Sequence, residues 1–391
     1  MQSRLLGVIL ALGLVSLLAD MVYEGARSVG GAYLNILGAP ALILGILAAG
    51  ELMAVLSRVV GGYLAHRHPS PRLYWSILVL GYLSVLSLPL LSLARQWPQV
   101  ILLYYVERFG KGLRAPVRDT ILSEVSEGVG RGKGFGLHEL LDQVGAILGP
   151  GAVSSIILLG GESVVESYRL AFASLIVPGI LAPLILLIAY RLYPTPRSSL
   201  KSRRELRLSR GFRDYLIFAS LAGMGLIHWA IISHYLQTQV QQNILIPAEV
   251  PLIYLVAMLS DALSALPLGM LYDRIGRRAL LVQPLTTSLI TPAIFLQGGR
   301  MGLYSAAILW GLSMGSAETV MRAAVADYLQ HQLRAMGYGL FSSIFHASTV
   351  IGASIYSYLY QLNLTHLIIQ VSIGIEAAAL VIGIRRIFAM S

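Results

Sequence analysis

The chain has 391 residues, of which 56% are hydrophobic and 12% are charged, and its mean hydropathy is +0.72. Soluble domains carry about 25% charged residues, so this composition excludes an ordinary soluble protein and favours a membrane protein. The formal net charge is +10, but the charges lie between apolar runs and form no separate basic domain, so we expect no nucleic-acid partner. Cysteine is absent, which excludes disulfides and thiolate metal sites.

Apolar runs separated by Gly, Pro and Arg predict twelve membrane-spanning helices, because one span needs about 20 mostly apolar residues. The predicted spans are 5–35, 39–65, 73–94, 99–124, 132–159, 168–192, 212–239, 248–272, 279–296, 301–328, 335–360 and 364–387. The first run continues past Asp20 and Glu24 without a small-residue cleavage site, so we interpret it as a span and not as a signal peptide. The fold class expected is therefore an all-α polytopic membrane protein.

One long polar stretch, rich in Arg and Lys, separates two groups of six spans. We expect an N-terminal bundle over 1–192, a cytoplasmic basic linker over 193–212 and a C-terminal bundle over 213–391. With the N-terminus inside, nineteen Lys or Arg residues fall on the cytoplasmic side and three on the other. This asymmetry follows the positive-inside rule and predicts a multi-pass protein of the cytoplasmic membrane with both termini in the cytoplasm.

Short patterns recur 203 residues apart in the two halves. The sequence G-F-G-L that begins at Gly134 matches G-Y-G-L at Gly337, and Gly149 matches Gly352 at the same offset. Several matches at one offset predict two six-helix pseudo-repeats related by an axis along the membrane normal.

The loop between predicted spans 8 and 9 reads G-M-L-Y-D-R-I-G-R-R from Gly269 onward. Gly269 would permit close helix approach, Asp273 would pair with a helix end or a basic partner, and Gly276 would allow a tight turn. Arg274 and Arg277 would hold the loop at the inner face. A basic turn that only sets the topology is the alternative interpretation.

The corresponding loop between spans 2 and 3 keeps part of this pattern. Gly62 and Arg67 stand at matching positions, but His66 replaces the acid and two prolines replace the glycine turn. The pairing role of the acid at the cytoplasmic face would therefore fall to Asp273.

Predicted span 4 carries Arg108 followed four residues later by Gly112, and Lys111, Arg114 and Arg118 follow at helical spacing. These cations share one broad face of the helix. Charges at membrane depth are costly, so we expect them to point into the protein or to pair.

Predicted span 5 carries spaced glycines, Gly136, Gly145 and Gly149, followed by Pro150. Small residues let helices pack closely, and Pro150 would bend the span. An ordinary glycine-rich packing face is the alternative interpretation.

These patterns resemble the Major Facilitator Superfamily over essentially the whole chain. The loop after span 8 resembles its G-x-x-x-D-R-x-G-R-R motif, and Arg108 with Gly112 resembles its R-x-x-x-G pattern, whose arginine is associated with coupling to protons. The glycines of span 5 resemble the pattern of its drug and metabolite antiporters, although Val153 and Ser154 stand where paired glycines are usual. The resemblance implies the twelve-helix fold of that family and transport by alternating access.

The interior of span 1 holds Asp20, Glu24 and Arg27 on one helical face. Two nearby carboxylates cannot both ionise cheaply in a cavity, so we expect one of them to take up and release a proton. A structural bridge between Glu24 and Arg27 is the competing hypothesis. Arg27 and Arg108 would adjust the proton affinity of the acids or bind an anionic substrate group.

Other interior polar residues are further candidates for proton coupling or substrate binding: Glu139, Asp142, His228, Glu318 and Arg322. We expect Asp142 to pair with an arginine of span 4, and Glu318 to bridge Arg322 or to face the central cavity. His228 with Asp20 and Glu24 would form a divalent-metal site, against the simpler hypothesis of a hydrogen-bonded structural histidine.

The sequence thus predicts a proton-coupled antiporter that exports a small solute. A proton-coupled importer and a divalent-metal exporter are the alternatives. No convergent nucleophile–base or metal constellation is present in the sequence, so we expect no enzyme, no resident metal and no cofactor. The expected partners are a small-molecule substrate, protons and the lipid bilayer, and we expect a monomer.

Overall fold

A computed structural model describes residues 2–67, 70–160, 163–196, 209–329 and 334–387, and within these ranges the regular elements are all helices. The helices are α1 Gln2–Ile36, α2 Ile43–Ala48, α3 Gly50–Arg67, α4 Pro71–Leu83, α5 Trp97–Ser126, α6 Arg131–Leu159, α7 Val164–Ser174, α8 Ile176–Leu192, α9 Arg210–Gly225, α10 Trp229–Gln241, α11 Glu249–Ile275, α12 Val282–Pro292, α13 Gly299–Ser316, α14 Arg322–Tyr328, α15 Arg334–Gln361 and α16 Thr365–Ile382. The prediction of an all-helical fold is confirmed.

Within the described residues, the sixteen helices group into twelve longer segments that follow the predicted spans. Single helices form spans 1, 4, 5, 8 and 11, whereas 3₁₀ turns, π-helical turns or short breaks interrupt the others. Eight segments of the described chain are long and apolar enough to cross a membrane, and one of them, Glu249–Gln297, contains predicted spans 8 and 9. Helix α5 is not among the eight, because its interior carries four charged side chains between Glu107 and Arg114.

Contacts between helices divide the chain into two compact units, which are described separately. Among the described residues, the N-terminal unit contains 2–39, 50–196 and 247–252, and the C-terminal unit contains 40–49, 209–246 and 253–387. Two short segments, one containing α2 and one beginning at Pro247, therefore belong to the unit opposite to their half of the sequence. Most of the predicted linker, 197–208, lies outside the described residues.

The tightest packing in the N-terminal unit joins α1 to α6. A Cβ atom at Gly145 would collide with the carbonyl oxygen of Leu17, and one at Gly149 would collide with that of Met21. The missing side chains therefore let the two backbones touch. By contrast, a Cβ at Gly136 would meet nothing within 4 Å, so Gly136 takes no part in this contact.

The C-terminal unit repeats this contact between α9 and α15. A Cβ at Gly352 would collide with the carbonyl oxygen of Met224, and these residues lie 203 positions after Gly149 and Met21. Apolar and aromatic side chains fill the core beside this contact, among them Phe212, Tyr215 and Phe341. The repeat seen in the sequence thus extends to a backbone contact of the same kind in each unit.

Candidate functional site

A pair of carboxyl groups joins α1 to α6 inside the N-terminal unit. Asp20 on α1 and Asp142 on α6 lie within hydrogen-bonding reach of each other. The Nζ atom of Lys111 on α5 lies 3.7 Å from Oδ1 of Asp20. Because a carboxylate has no donor, a hydrogen bond between two carboxyl groups requires one of them to be protonated. The Asp20–Asp142 pair can therefore hold one proton.

The close contact of α1 with α6 produces this pair. Gly145 lies three residues after Asp142, and Leu17, whose carbonyl it meets, lies three residues before Asp20. A larger residue at Gly145 would push the helices apart and separate the two acids. The span-5 glycines thus have a direct structural connection to the charged interior.

Tyr23 on α1 lies against two of the cations near the Asp20–Asp142 pair. The guanidinium carbon of Arg108 lies 3.3 Å from the centre of the Tyr23 ring, and Nζ of Lys111 lies 4.7 Å from it. The Tyr23 hydroxyl donates a hydrogen bond to Oε1 of Glu51 on α3, at 3.1 Å. The electron-rich face of an aromatic ring attracts cations, so Tyr23 links Asp20's partner Lys111 to Arg108.

Arg108 lies in a buried ion network on α5. It is 2.6 Å from Oε2 of Glu107 and 3.3 Å from Oε1 of Glu51, and Nη2 of Arg114 lies 3.7 Å from Oε1 of Glu107. The exposed fraction is 0% for Glu107, 5% for Arg108 and 3% for Arg114. Charges at this depth require partners, and the network supplies them.

Glu24 and Arg27 form the ion pair of the competing hypothesis, with Nη1 of Arg27 3.4 Å from Oε2 of Glu24. In this conformation, the partners of Asp20 are Asp142 and Lys111, which come from other helices. The i, i+4 spacing suggested a different pair, Asp20 with Glu24.

A second chain of polar contacts joins α5, α1 and α6 through Ser16, which lies one helical turn before Asp20. The Arg118 guanidinium contacts Oδ1 of Asp119 at 2.9 Å and donates to Ser16 Oγ at 3.3 Å. Ser16 Oγ in turn lies 3.0 Å from Nε2 of His138. Arg118 also acts electrostatically on Asp142, whose hydrogen-bonding partner in this conformation is Asp20 and not an arginine, and Glu139 is exposed.

The loop after α11 turns at Gly276, whose φ of +58° is the left-handed conformation that glycine favours. The prediction that Gly269 permits close helix approach is wrong, because a Cβ there would meet nothing within 4 Å. Asp273 is exposed, and the acid paired with this loop is Asp327 instead. Asp327 accepts a hydrogen bond from Tyr272 at 2.6 Å and lies 3.9 Å from Nε of Arg277.

The remaining residues of the two loop motifs lie at the surface of their units. Arg67 and Arg274 are exposed and Gly62 is half-buried. In the loop between spans 2 and 3, Gly61 makes the close approach, because its Cβ would collide with the carbonyl oxygen of Leu113. At Gly62 the nearest atom, on Pro116, would be 3.9 Å away.

The candidates of the C-terminal unit occupy irregular helix positions. His228 precedes α10, and its Nδ1 accepts a hydrogen bond from the Ala230 N–H at 3.2 Å, the role of a structural histidine. Glu318 lies in a π-helical turn, Ala317–Met321, and Arg322 is exposed. Among the described residues, no group of three or more His, Asp or Glu side chains is placed to hold a metal ion.

Sequence reasoning missed Tyr23 as a member of the site, did not assign Lys111 to Asp20, and missed Glu376 on α16. Nothing in the local pattern marks Tyr23, since only the three-dimensional packing brings Arg108 and Lys111 over its ring. Glu376 did carry a signal, because it is the one acid within the apolar span 364–387 and ionisable residues at membrane depth are rare.

Comparisons with known proteins agree with this architecture. The model of the Major Facilitator Superfamily matches residues 12–245 and 216–389. An uncharacterized protein of Mycobacterium tuberculosis is 36% identical over 380 residues, which are 94% of this chain and 90% of that protein. An uncharacterized MFS-type transporter of Methanocaldococcus jannaschii is 26% identical over 366 residues, which are 90% of this chain and 88% of that protein.

The structural comparison gives the same fold. A crystal structure of a mutant of the nucleoside transporter NupG matches with a TM-score of 0.78 and 15% identity, covering 96% of this chain and 99% of that one. At this identity the likeness shows the fold alone. Family model, relatives and fold agree: the chain is a multi-pass membrane protein and a secondary transporter that belongs to the Major Facilitator Superfamily.

Proposed function

We propose that this transporter exchanges protons for a small solute across the cytoplasmic membrane by alternating access, and that the net movement of solute is export. Both termini and the basic linker face the cytoplasm in this proposal. The Asp20–Asp142 pair carries the proton.

The contact between the Asp20 and Asp142 carboxyl groups is the observation that carries the proposal. The two carboxyl groups lie on different helices, and the single nearby cation within ion-pair distance of Asp20 among the described residues is Lys111, at 3.7 Å. With a proton bound, the pair and Lys111 are electrically balanced. After the proton leaves, the pair carries one negative charge more than Lys111 balances, and charge at this depth is costly. Loss of the proton therefore favours either a change of conformation or the binding of a solute in its place.

Exchange of proton for solute at one site is the requirement for antiport, because the two bound states must alternate. The span-5 glycines support export, since they resemble the antiporter pattern, and two of them, Gly145 and Gly149, let α1 pack against α6 beside the pair. A proton-coupled importer would use the same residues and differ in the direction of net flux. The divalent-metal alternative has no three-ligand cluster within the described residues.

The test is proton movement in proteoliposomes that contain an internal pH dye. A pH gradient is imposed, and cationic, neutral and anionic solutes are added in turn. We expect one class of solute to trigger proton flux in the native protein, and Asp20→Asn and Asp142→Asn to lose it by at least tenfold, because neither amide can complete the shared-proton pair.

The matched control is Glu166→Gln, which neutralises an exposed acid at the start of α7. This variant should retain the flux of the native protein. Solute uptake without any proton movement, or full proton flux in both aspartate variants, would contradict the proposal.

A further inference from the structure

Glu376 lies in the middle of α16, inside the C-terminal unit. Its exposed fraction is 0%, and neither carboxyl oxygen has a hydrogen-bond partner among the described residues. An acid that is fully buried and without a partner is unusual, because a buried polar group normally finds one. The residue belongs to no motif of the sequence and to no part of the Asp20–Asp142 site.

The carboxyl group of Glu376 lies against the break between α9 and α10. Helix α9 ends at Gly225, and a Cβ on that residue would collide with the Glu376 carboxyl group. The Gly225 carbonyl oxygen accepts hydrogen bonds from Tyr356 at 3.1 Å and from Ser372 at 3.0 Å. The acid thus occupies the space that a side chain would need where the helix stops.

Neutral donors from neighbouring helices bind two backbone carbonyl groups at the break. In addition to the two bonds at Gly225, Trp310 Nε1 on α13 donates to the Ile227 carbonyl at 3.1 Å. Leu226 is extended, with φ of −73° and ψ of 117°. The interruption is therefore a built feature of the unit, and opening it would cost these hydrogen bonds.

No countercharge compensates Glu376 within the part of the chain that the structure describes. Ionisable side chains near α16 come from three places among the described residues. Helix α9 carries Arg210, Arg213, Asp214 and Tyr215, and α15 carries Tyr338, His346, Tyr356, Tyr358 and Tyr360. Helix α16 and the turn that follows it carry His366 and Arg385 besides Glu376. Helix α12 carries none. Of this set, only Tyr356 interacts electrostatically with Glu376.

An ionised carboxylate in this position would have neither water, nor a hydrogen bond, nor a cation. Burial of an uncompensated charge is so unfavourable that the group takes up a proton instead. We propose that Glu376 is a second proton-binding site, separate from the Asp20–Asp142 pair, which is neutral in this conformation and releases its proton when the α9–α10 break opens to water. The ligand of the site is a proton, which forms the O–H bond of the carboxylic acid.

Infrared spectroscopy of the purified protein tests this directly and needs no substrate. A protonated carboxyl group has a C=O stretching band that is absent from carboxylates and shifts when the proton is replaced by deuterium. Beside the band of the protonated Asp20–Asp142 pair, we expect the native protein at neutral pH to have a band component from Glu376, Glu376→Gln to lack that component, and the component to shift over time in D₂O. An identical spectrum in Glu376→Gln, or a band that never shifts in D₂O, would overturn the proposal.

A second variant links the exchange to the break. Tyr356→Phe removes one of the two hydrogen bonds at Gly225, and we expect the deuterium shift of the Glu376 band to become about fivefold faster. Tyr358→Phe removes a hydroxyl from an exposed residue of the same helix and should leave the rate unchanged. An unchanged rate in Tyr356→Phe would show that the break does not control access to Glu376. These spectra are independent of the flux assay, so either proposal can fail alone.

Discussion

The first helical segments of the two sequence repeats occupy corresponding positions but differ in construction. Helix α1 is continuous from Gln2 to Ile36, whereas its counterpart is divided into α9 and α10 by residues 226–228. The acids of α1 lie beside cations, with Lys111 near Asp20 and Arg27 near Glu24. The acid beside the divided segment, Glu376, has no cation near it among the described residues.

The two units share their helix packing but differ in the chemistry of their buried acids. Both units keep the glycine contact, Gly149 on Met21 and Gly352 on Met224. Around this shared contact, ion pairs involve the acids of α1 in the N-terminal unit, whereas hydrogen bonds from neutral donors stabilise the α9–α10 break in the C-terminal unit. Packing is thus the common framework, and proton chemistry is specific to each unit.

The largest expected effect concerns the charged network around Arg108, a residue whose corresponding position 203 residues later is Gly311. Arg108→Met would leave Glu107 fully buried beside fewer cations. We expect a loss of about 3–5 kcal/mol in the free energy of unfolding, measured by denaturant titration in detergent micelles. Arg95→Met, at an exposed arginine, is the control and should change it by less than about 0.5 kcal/mol. A small effect of Arg108→Met would mean that the network adds little to stability.

An intermediate effect is expected where the units agree. Gly149→Ala and Gly352→Ala each place a methyl group against a backbone carbonyl, and we expect each to lower the free energy of unfolding by about 1–3 kcal/mol. The controls, Gly136→Ala and Gly339→Ala, have nothing within 4 Å of the added atom, so their better helix propensity should raise stability by up to about 1 kcal/mol. If only one unit responded, the two contacts would not be equivalent.

The smallest expected change in the free energy of unfolding concerns one tyrosine–carboxylate hydrogen bond in each unit. Tyr272 donates to Asp327 at 2.6 Å, and Tyr193 donates to Glu124 at 3.1 Å, with the two acids 203 residues apart. We expect Tyr272→Phe to cost about 1 kcal/mol of unfolding free energy and Tyr193→Phe about half of that, because the first bond is shorter. The same denaturant titration measures both, and a larger loss in Tyr193→Phe would reverse the ranking.

The helices were predictable from the sequence because hydropathy is a local property. Twelve apolar runs became twelve helical segments, and the 203-residue offset anticipated the glycine contacts of Gly149 and Gly352. The helical breaks were less visible, since the α9–α10 break is held by side chains from α13, α15 and α16. No pattern within residues 226–228 indicates those partners.

The composition of the site was predictable only in part, because spacing along one helix does not reveal contacts between helices. The i, i+4 spacing pointed to Asp20 with Glu24, but the α1–α6 contact brings Asp142 to Asp20 instead. The loop motif likewise pointed to Asp273, whereas the packing of α11 near α14 selects Asp327 as the partner of Arg277. In each case the deciding neighbour is at least fifty residues away in the sequence.

A proton shared by Asp20 and Asp142 across two helices makes the ratio of protons to solute transported depend on Asp142 as much as on the acids of α1. The ratio is measured in proteoliposomes from simultaneous pH-dye and tracer signals, for Asp142→Asn and for Glu24→Gln. If Asp20 and Asp142 share the proton, Asp142→Asn loses proton movement per solute transported, while Glu24→Gln keeps the native ratio even if its rate falls. A native ratio in Asp142→Asn, together with its loss in Glu24→Gln, would contradict the account and assign the proton to the acids of α1 alone.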